Sequence, residues 1–335
     1  SASTLSPTMT RVGLFNELIQ DADYLWNQCE QPAGRHHDLE LARWDREAPH
    51  RFIMNWPSPP FGTRKAGGWK RYVYKALRKN TSPLRVPFGY EWLGHDPART
   101  TILIYEPPAL IPEWWMDLAR THCARVYAPD PRATHPIVLP SMWTFEDDIH
   151  TLRALPPNEA DKVLPLVAIS SGKPPGKSLI EGHLARLEFY RKLRAAGVDL
   201  SLFGRGLPGD TRPRGPVASK ANVLRPARCA LVIENYAEGD MYVTEKLWDA
   251  LICWALPLYF GPAAPERLIP PESFIRLPDL ADRGVETVRQ ALADTGLWRS
   301  RLEAIVEARR RAMGDLRLVE WIRREIPSWM RTAST

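Results

Sequence analysis

The sequence predicts an α/β protein in which a parallel sheet is covered by helices on both faces. Three observations lead there. In the second half of the 335-residue chain, short apolar runs that suit buried strands alternate with segments of helical spacing. Several of those runs stop at a glycine, among them Gly204 and Gly261. No stretch approaches the roughly 18 consecutive apolar residues that a membrane span needs. The 32 prolines and 20 glycines fall below the roughly 25–30% that marks a low-complexity chain.

Taken in order, the first half shows strand-like runs at 51–55, 101–105 and 123–127, separated by Pro-rich turns such as Trp56-Pro57-Ser58-Pro59-Pro60. Helical spacing covers 12–27 and 69–79. Residues 151–162, polar and broken by Pro156-Pro157-Asn158, read as a linker. Beyond them, 163–170 suits a buried strand. The 178–196 segment is a helix, with Leu179, His183, Leu184, Leu187, Tyr190 and Leu193 at helical spacing, and it meets Gly197. A strand at 198–203, a strand at 229–234, a helix at 244–255 and a strand at 256–260 follow. Strand–helix–strand order gives parallel pairing, with ligands at the carboxyl ends of strands. The length exceeds the roughly 100–200 residues of one domain, so two are expected.

Composition narrows the partners. Lysine and arginine number 45 against 39 acids, a net charge of +6. That favours anionic partners such as nucleotide sugars, anionic glycans or lipid headgroups, and is too diffuse to argue nucleic acid. Cys29, Cys123, Cys229 and Cys253 are scattered without metal-ligand spacing. The first residues, Ser1-Ala2-Ser3-Thr4, show neither a basic nor an apolar leader region. A soluble protein in a reducing, cytoplasmic setting is expected.

The most informative segment runs from Leu231 to Trp248. A buried strand enters a polar, Gly-containing loop, and a helix opens near Thr244, a favourable N-cap. Glu245 suits the positive end of the helix dipole. Lys246 does not, unless an anion sits there for it to meet, and a helix start with free N–H groups is a phosphate site. A capped surface helix with incidental charges is the plainer alternative.

Glu234-Asn235, then Tyr242-Val243-Thr244-Glu245-Lys246, then Leu256-Pro257-Leu258 and Gly261 resemble the signature of glycosyltransferase family 10, the α-1,3/4-fucosyltransferases. Pro270, Glu272, Ser273, Phe274 and Ile275 continue the likeness, and Arg186 with Arg191-Lys192-Leu193 and the 198–204 strand resemble its upstream pieces. The likeness covers about 163–276. Tyr236, Met241 and Cys253-Trp254 depart from the family pattern and are expected to alter the walls near the donor. The paired-cysteine pattern of animal members is missing, so the likeness is to a bacterial-type enzyme.

The resemblance implies a GT-B architecture: two Rossmann-like domains facing a cleft, with a C-terminal helix docking back on the first. Its limits are an acceptor-binding domain at 1–155, a donor domain at 163–305 and C-terminal helices at 306–330. It implies inverting transfer of L-fucose from GDP-β-L-fucose to a glycan hydroxyl in an α-1,3-type linkage, with GDP as product. Arg186 and Lys246 would neutralise the diphosphate from exposed positions in the empty cleft. Glu245 would hydrogen-bond the ribose, and Asn235 and Tyr242 would line the pocket. No protein-bound metal is required, and a divalent ion would act only as a stimulant. Glu106, delivered by an apolar strand just before Pro107-Pro108, is the candidate general base. Glu113 competes with it, and a solvated strand-end acid is the plainer reading.

Four further features have bland alternatives. Ser171-Gly172-Lys173-Pro174-Pro175-Gly176-Lys177-Ser178 imitates a Walker A loop but has one residue too few between its glycines. Two prolines there would also delete phosphate-cradling N–H groups; Ser170 and Lys173 are expected only as neighbours of the nucleotide. Glu146-Asp147-Asp148 could hold a metal or cap a helix. The aromatic and basic 64–79 stretch could stack a sugar or be an amphipathic helix. Arg309-Arg310-Arg311, followed by Leu316, Val319, Ile322 and Ile326, forms an amphipathic C-terminal helix for docking or peripheral membrane association. The functional alternatives are another nucleotide sugar on the same fold, a carbohydrate-binding relative without turnover, and, last, a P-loop kinase or sulfotransferase.

Overall fold

The computed structural model describes residues 9–15, 24–43, 45, 47–54, 96–173 and 179–332. The chain forms two compact units. One comprises Ser1–Ala22, Gln31–Ile137 and Ile322–Thr335; the other comprises Asp23–Glu30 and Val138–Trp321.

In the first unit, β1 (Thr10–Phe15), β2 (Arg35–His36), β3 (Leu39–Arg43), β4 (His50–Met54), β5 (Thr100–Leu103), β6 (Arg125–Ala128) and β7 (His135–Pro136) form one sheet in the order β2-β3-β1-β4-β5-β6-β7. All pairs are parallel except the β2–β3 hairpin. The expected helix at 12–27 is corrected here. Val12 to Phe15 are four consecutive buried residues, as a strand covered on both faces requires, and among the described residues of that stretch Tyr24–Asn27 alone is helical. A short apolar run satisfies either element, and pairing with β3 and β4 decides it. The expected features at 64–79 lie outside the described residues.

The second unit holds β8 (Leu164–Ile169), β9 (Leu200–Phe203), β10 (Ala227–Ile233), β11 (Leu256–Phe260) and β12 (Ile275–Arg276), all parallel, in the order β12-β11-β10-β8-β9. The α/β expectation of parallel sheets is met in both units. The helices Ile180–Ala195 and Glu245–Ile252 connect strands as the spacing predicts. Trp143, Trp248 and Trp298 are among the largest fully buried side chains of its core.

The division falls after Ile137 rather than in the proline-broken 151–162 segment. That segment reads as a linker because it is polar, yet it is tied down. Asp148 caps the helix Ile149–Ala154, Leu152 is fully buried, and Lys162 Nζ donates to the carbonyls of Arg225 and Cys253. Capping is also what the Glu146-Asp147-Asp148 run does: Asp148 accepts from His150 and Thr151, while Asp147 pairs with Arg225 at 2.7 Å.

The one amphipathic helix expected from Arg309 through Ile326 is two, Leu302–Ala312 and Leu318–Thr332. Arg309 is buried, donates to the carbonyls of Ile252 and Leu152, and lies 4.2 Å over the Trp254 ring. Arg310 and Arg311 pair with Glu307. Of the three arginines only Arg309 is buried, while Arg310 and Arg311 stay at the surface. The last helix completes the first unit from Ile322 onward. There Trp329 stacks on Phe52 and His50, and its indole N–H donates to Tyr127. Val319, Ile322 and Ile326, the apolar stripe, are buried. Among the described residues no helix is long and apolar enough to cross a membrane.

Candidate active site

In the second unit β8 is followed by β9 on one side, while β10 pairs on its other side. This reversal is the topological switch point, where loops leaving neighbouring strands part and leave a crevice. A cavity of about 630 Å³ lies there, with Ile169 and Ser170 from the end of β8 and Ile233 and Asn235 from the end of β10 in its wall. Arg186, Glu245 and Lys246 also line it. Four of the five donor residues expected from sequence thus meet around one cavity.

Each arrives for a local reason. Arg186 sits on the buried stripe of the Ile180–Ala195 helix with His183, Leu187 and Tyr190. It is only 6% exposed, which corrects the expectation of an open cleft residue. Its guanidinium donates to Asn235 Oδ1 at 2.8 Å and lies 3.2 Å from His183 Nδ1, while Nε is buried with no partner among the described residues. Burial and the neighbouring Arg186 charge lower the His183 pKa, so that ring is neutral.

Glu245 and Lys246 occupy the first turn of the Glu245–Ile252 helix, which Thr244 caps. Burial works against charge on both. The Lys246 and Lys220 ammoniums nevertheless hold Glu245 down at about 2, and the Glu245 and Glu234 carboxylates raise Lys246. Lys246 Nζ lies 3.3 Å from Glu234 Oε2 and 3.9 Å from Glu245 Oε1.

Lys220, Asp249 and Arg205 line the cavity but were missed from sequence. Lys220 donates to Asp249 at 2.8 Å and to Thr144 at 2.6 Å, and lies 3.7 Å from Glu245. Burial raises the Asp249 carboxyl, but Lys220 and the N–H and hydroxyl of Thr144 all donate to it, so it serves as a carboxylate. Only the helical offset of Asp249 from Glu245 could have hinted at this pair.

Other expectations fall elsewhere. Tyr242 is buried, meets Tyr236 edge-on at 6.1 Å and is not among the lining residues. Tyr236, Met241 and Trp254, which depart from the family pattern, are not among the described residues that line this cavity. Trp254 instead borders a separate pocket of about 160 Å³. Ser170 and Lys173 do line the main cavity. The rest of the Walker-like run, 174–178, lies outside the described residues. In the first unit Glu106 is half-buried, three residues beyond the end of β5. Glu113 is exposed and held by Arg120 at 2.8 Å and Arg132 at 3.0 Å, which lower its pKa.

The sequence profile described as Glycosyltransferase family 10 (fucosyltransferase) C-term matches residues 177–292. Those residues form a family 10 glycosyltransferase domain. The family 10 domain thus includes Arg186, Asn235, Glu245 and Lys246, the residues gathered at the switch point. The human 4-galactosyl-N-acetylglucosaminide 3-alpha-L-fucosyltransferase FUT6 is 35% identical over 98 residues, 28% of this chain and 25% of that protein. The human 3-galactosyl-N-acetylglucosaminide 4-alpha-L-fucosyltransferase FUT3 is also 35% identical over 98 residues, with the same shares. The chain spans about a quarter of the length of these curated relatives. A crystal structure of an α1,3-fucosyltransferase with GDP superposes with a TM-score of 0.50 at 14% identity, covering 92% of this chain and 84% of that one. That likeness shows the shared fold.

Proposed function

We propose that this chain is an inverting glycosyltransferase that transfers L-fucose from GDP-β-L-fucose to a glycan hydroxyl, forming an α-1,3-type linkage. The observation that carries the reading is the convergence of Arg186, Asn235, Glu245 and Lys246 on one switch-point cavity inside the family 10 domain. Arg186 and Lys246 bind the diphosphate, the arginine with a planar fork and the lysine as a point charge. The negative charge on the diphosphate grows as the sugar–phosphate bond breaks, so fixed donors there favour the transition state over the ground state. Glu245, ionised at neutral pH, accepts from the ribose hydroxyls. Such side chains do at the diphosphate what a divalent ion does elsewhere, so a metal is at most a stimulant.

Glu106 is the proposed base. It takes the acceptor proton as that oxygen attacks the anomeric carbon from the face opposite the leaving GDP. Its competitor Glu113 is poorly suited, because the arginines that lower its pKa also weaken it as a base. The test is thermal stability with nucleotides. GDP at about 100 times its dissociation constant adds roughly 2.7 kcal/mol, and ATP with magnesium adds none. Protection by ATP alone overturns the proposal.

A further inference from the structure

Arg186, Lys220 and Lys246 form the cationic part of the cavity's inner wall. Lys220 and Lys246 face Glu234, Glu245 and Asp249 at 2.8–3.9 Å. Among the described residues Arg186 is hydrogen-bonded only to the neutral Asn235 and His183. Three cations against three carboxylates sum to no net charge. The inner cluster therefore offers directed hydrogen bonds but little long-range attraction for a diphosphate.

Two other cations line the same cavity, Lys173 and Arg205. Both are exposed, and among the described residues neither side chain makes an ion pair. They stand on loops held together by backbone contact. Gly172 N–H donates to the carbonyl of Arg205 at 2.9 Å, and Ser170 N–H to that of Phe203 at 2.9 Å. A Cβ on Gly172 would lie 1.8 Å from the Gly206 carbonyl oxygen, and one on Gly204 would lie 1.6 Å from that of Ser170. Gly204 also has φ +147, a conformation L side chains rarely adopt. Only glycine allows this crossing, and it carries Lys173 and Arg205 together to the cavity.

We infer that Lys173 and Arg205 are a further anion-binding pair, supplying the net positive charge that draws a phosphate-bearing ligand into the cavity. The inference rests on the proposed nucleotide-binding role of that cavity. The pair recognises phosphate charge, whereas the inner cluster orients it. Charge at a cavity mouth acts on encounter and affinity and is sensitive to salt.

The experiment is calorimetry of the full chain and the Lys173→Gln/Arg205→Gln double variant with GDP, guanosine and inorganic diphosphate, at low and physiological salt. The double variant should bind GDP and diphosphate about tenfold more weakly at low salt, on the scale of one charge-assisted contact. Its affinity should depend less on salt, and guanosine binding and melting temperature should not change. Unchanged GDP affinity and salt slope overturn the inference, as does an equal loss of guanosine, which would place the pair at the base or in the cavity's shape. If the wild type binds diphosphate with this salt dependence but not GDP, the anion pair stands and the donor assignment falls. If it binds neither, both fall.

Discussion

Glu234 and Thr244, ten residues apart, are joined twice: the Thr244 N–H donates to Oε1 at 2.8 Å and its hydroxyl to Oε2 at 2.7 Å. Glu234 directly follows β10, and Thr244 caps the Glu245–Ile252 helix. One buried carboxylate thus fixes the span between strand end and helix start. Glu234 also receives Lys246 at 3.3 Å, so the same group sets where that ammonium stands.

Glu234→Ala should therefore cost stability as well as ligand affinity. It strands a buried N–H, a hydroxyl and an ammonium, so a loss of roughly 3 kcal/mol is expected. Glu234→Gln keeps one acceptor oxygen and should lose less. Denaturant titrations of the two variants check the order, and equal losses would show that charge, not hydrogen bonding, matters.

Arg186 and Lys246 should separate in their side effects. Removing either weakens GDP binding by about 1.5–3 kcal/mol, the range for hydrogen bonds to charged groups. Arg186→Ala should also lower the melting temperature without ligand, because the guanidinium is buried and holds Asn235. Lys246→Met should lower it less, since its side chain is 24% exposed. Calorimetry with GDP and a thermal scan of each variant read both effects; wild-type GDP affinity in both would remove them from the site.

Glu106→Gln keeps shape but loses the basic carboxylate. Turnover should fall by about 10²–10⁴-fold, the usual span for a lost general base. GDP affinity should hold at its wild-type value, since the proposed donor residues lie in the other unit. Glu113→Gln should turn over near the wild-type rate. Reversed outcomes would move the base to Glu113.

His50 predicts an acid-sensitive first unit. It is fully buried at the start of β4, with Nε2 at 3.0 Å from Thr101 Oγ1. Burial first, then the Arg125, Arg51 and Arg99 charges, lower its pKa from 6.5 to about 4. The unfolded chain thus binds the proton that the folded one refuses. Stability is fully present above pH 6.5 and falls as pH drops toward 4, by about 3 kcal/mol. His50→Gln should shrink the fall in melting temperature between pH 7 and pH 4.5, and an unchanged fall would exclude His50 as its source.

Much of the second unit was legible because its signals are local. The β11 limits expected from the apolar run before Gly261 are those observed, and the two helices begin within two residues of their expected starts. The Tyr-Val-Thr-Glu-Lys run pointed to the cavity because an N-cap, an acid and a misplaced cation lie within three residues of one another. The β1 strand was not legible: four buried residues in a row have no period, and only neighbours on both sides make them a strand. Nor was the role of Arg309, whose place in a triple arginine says surface, while the Trp254 ring and two carbonyls make burial affordable.

Spacing along the chain determined the α/β class, and the likeness of its local motifs to family 10 pointed to Arg186, Asn235, Glu245 and Lys246. Tertiary structure decided that Arg186 is buried, that Lys220 and Asp249 join the cavity, and that Tyr242 does not line it. It also decided the charge balance, in which three carboxylates neutralise the inner cations and leave Lys173 and Arg205 in excess. Net charge inside a cavity is a sum over groups distant in sequence. Only the fold chooses which of them share its low-dielectric space.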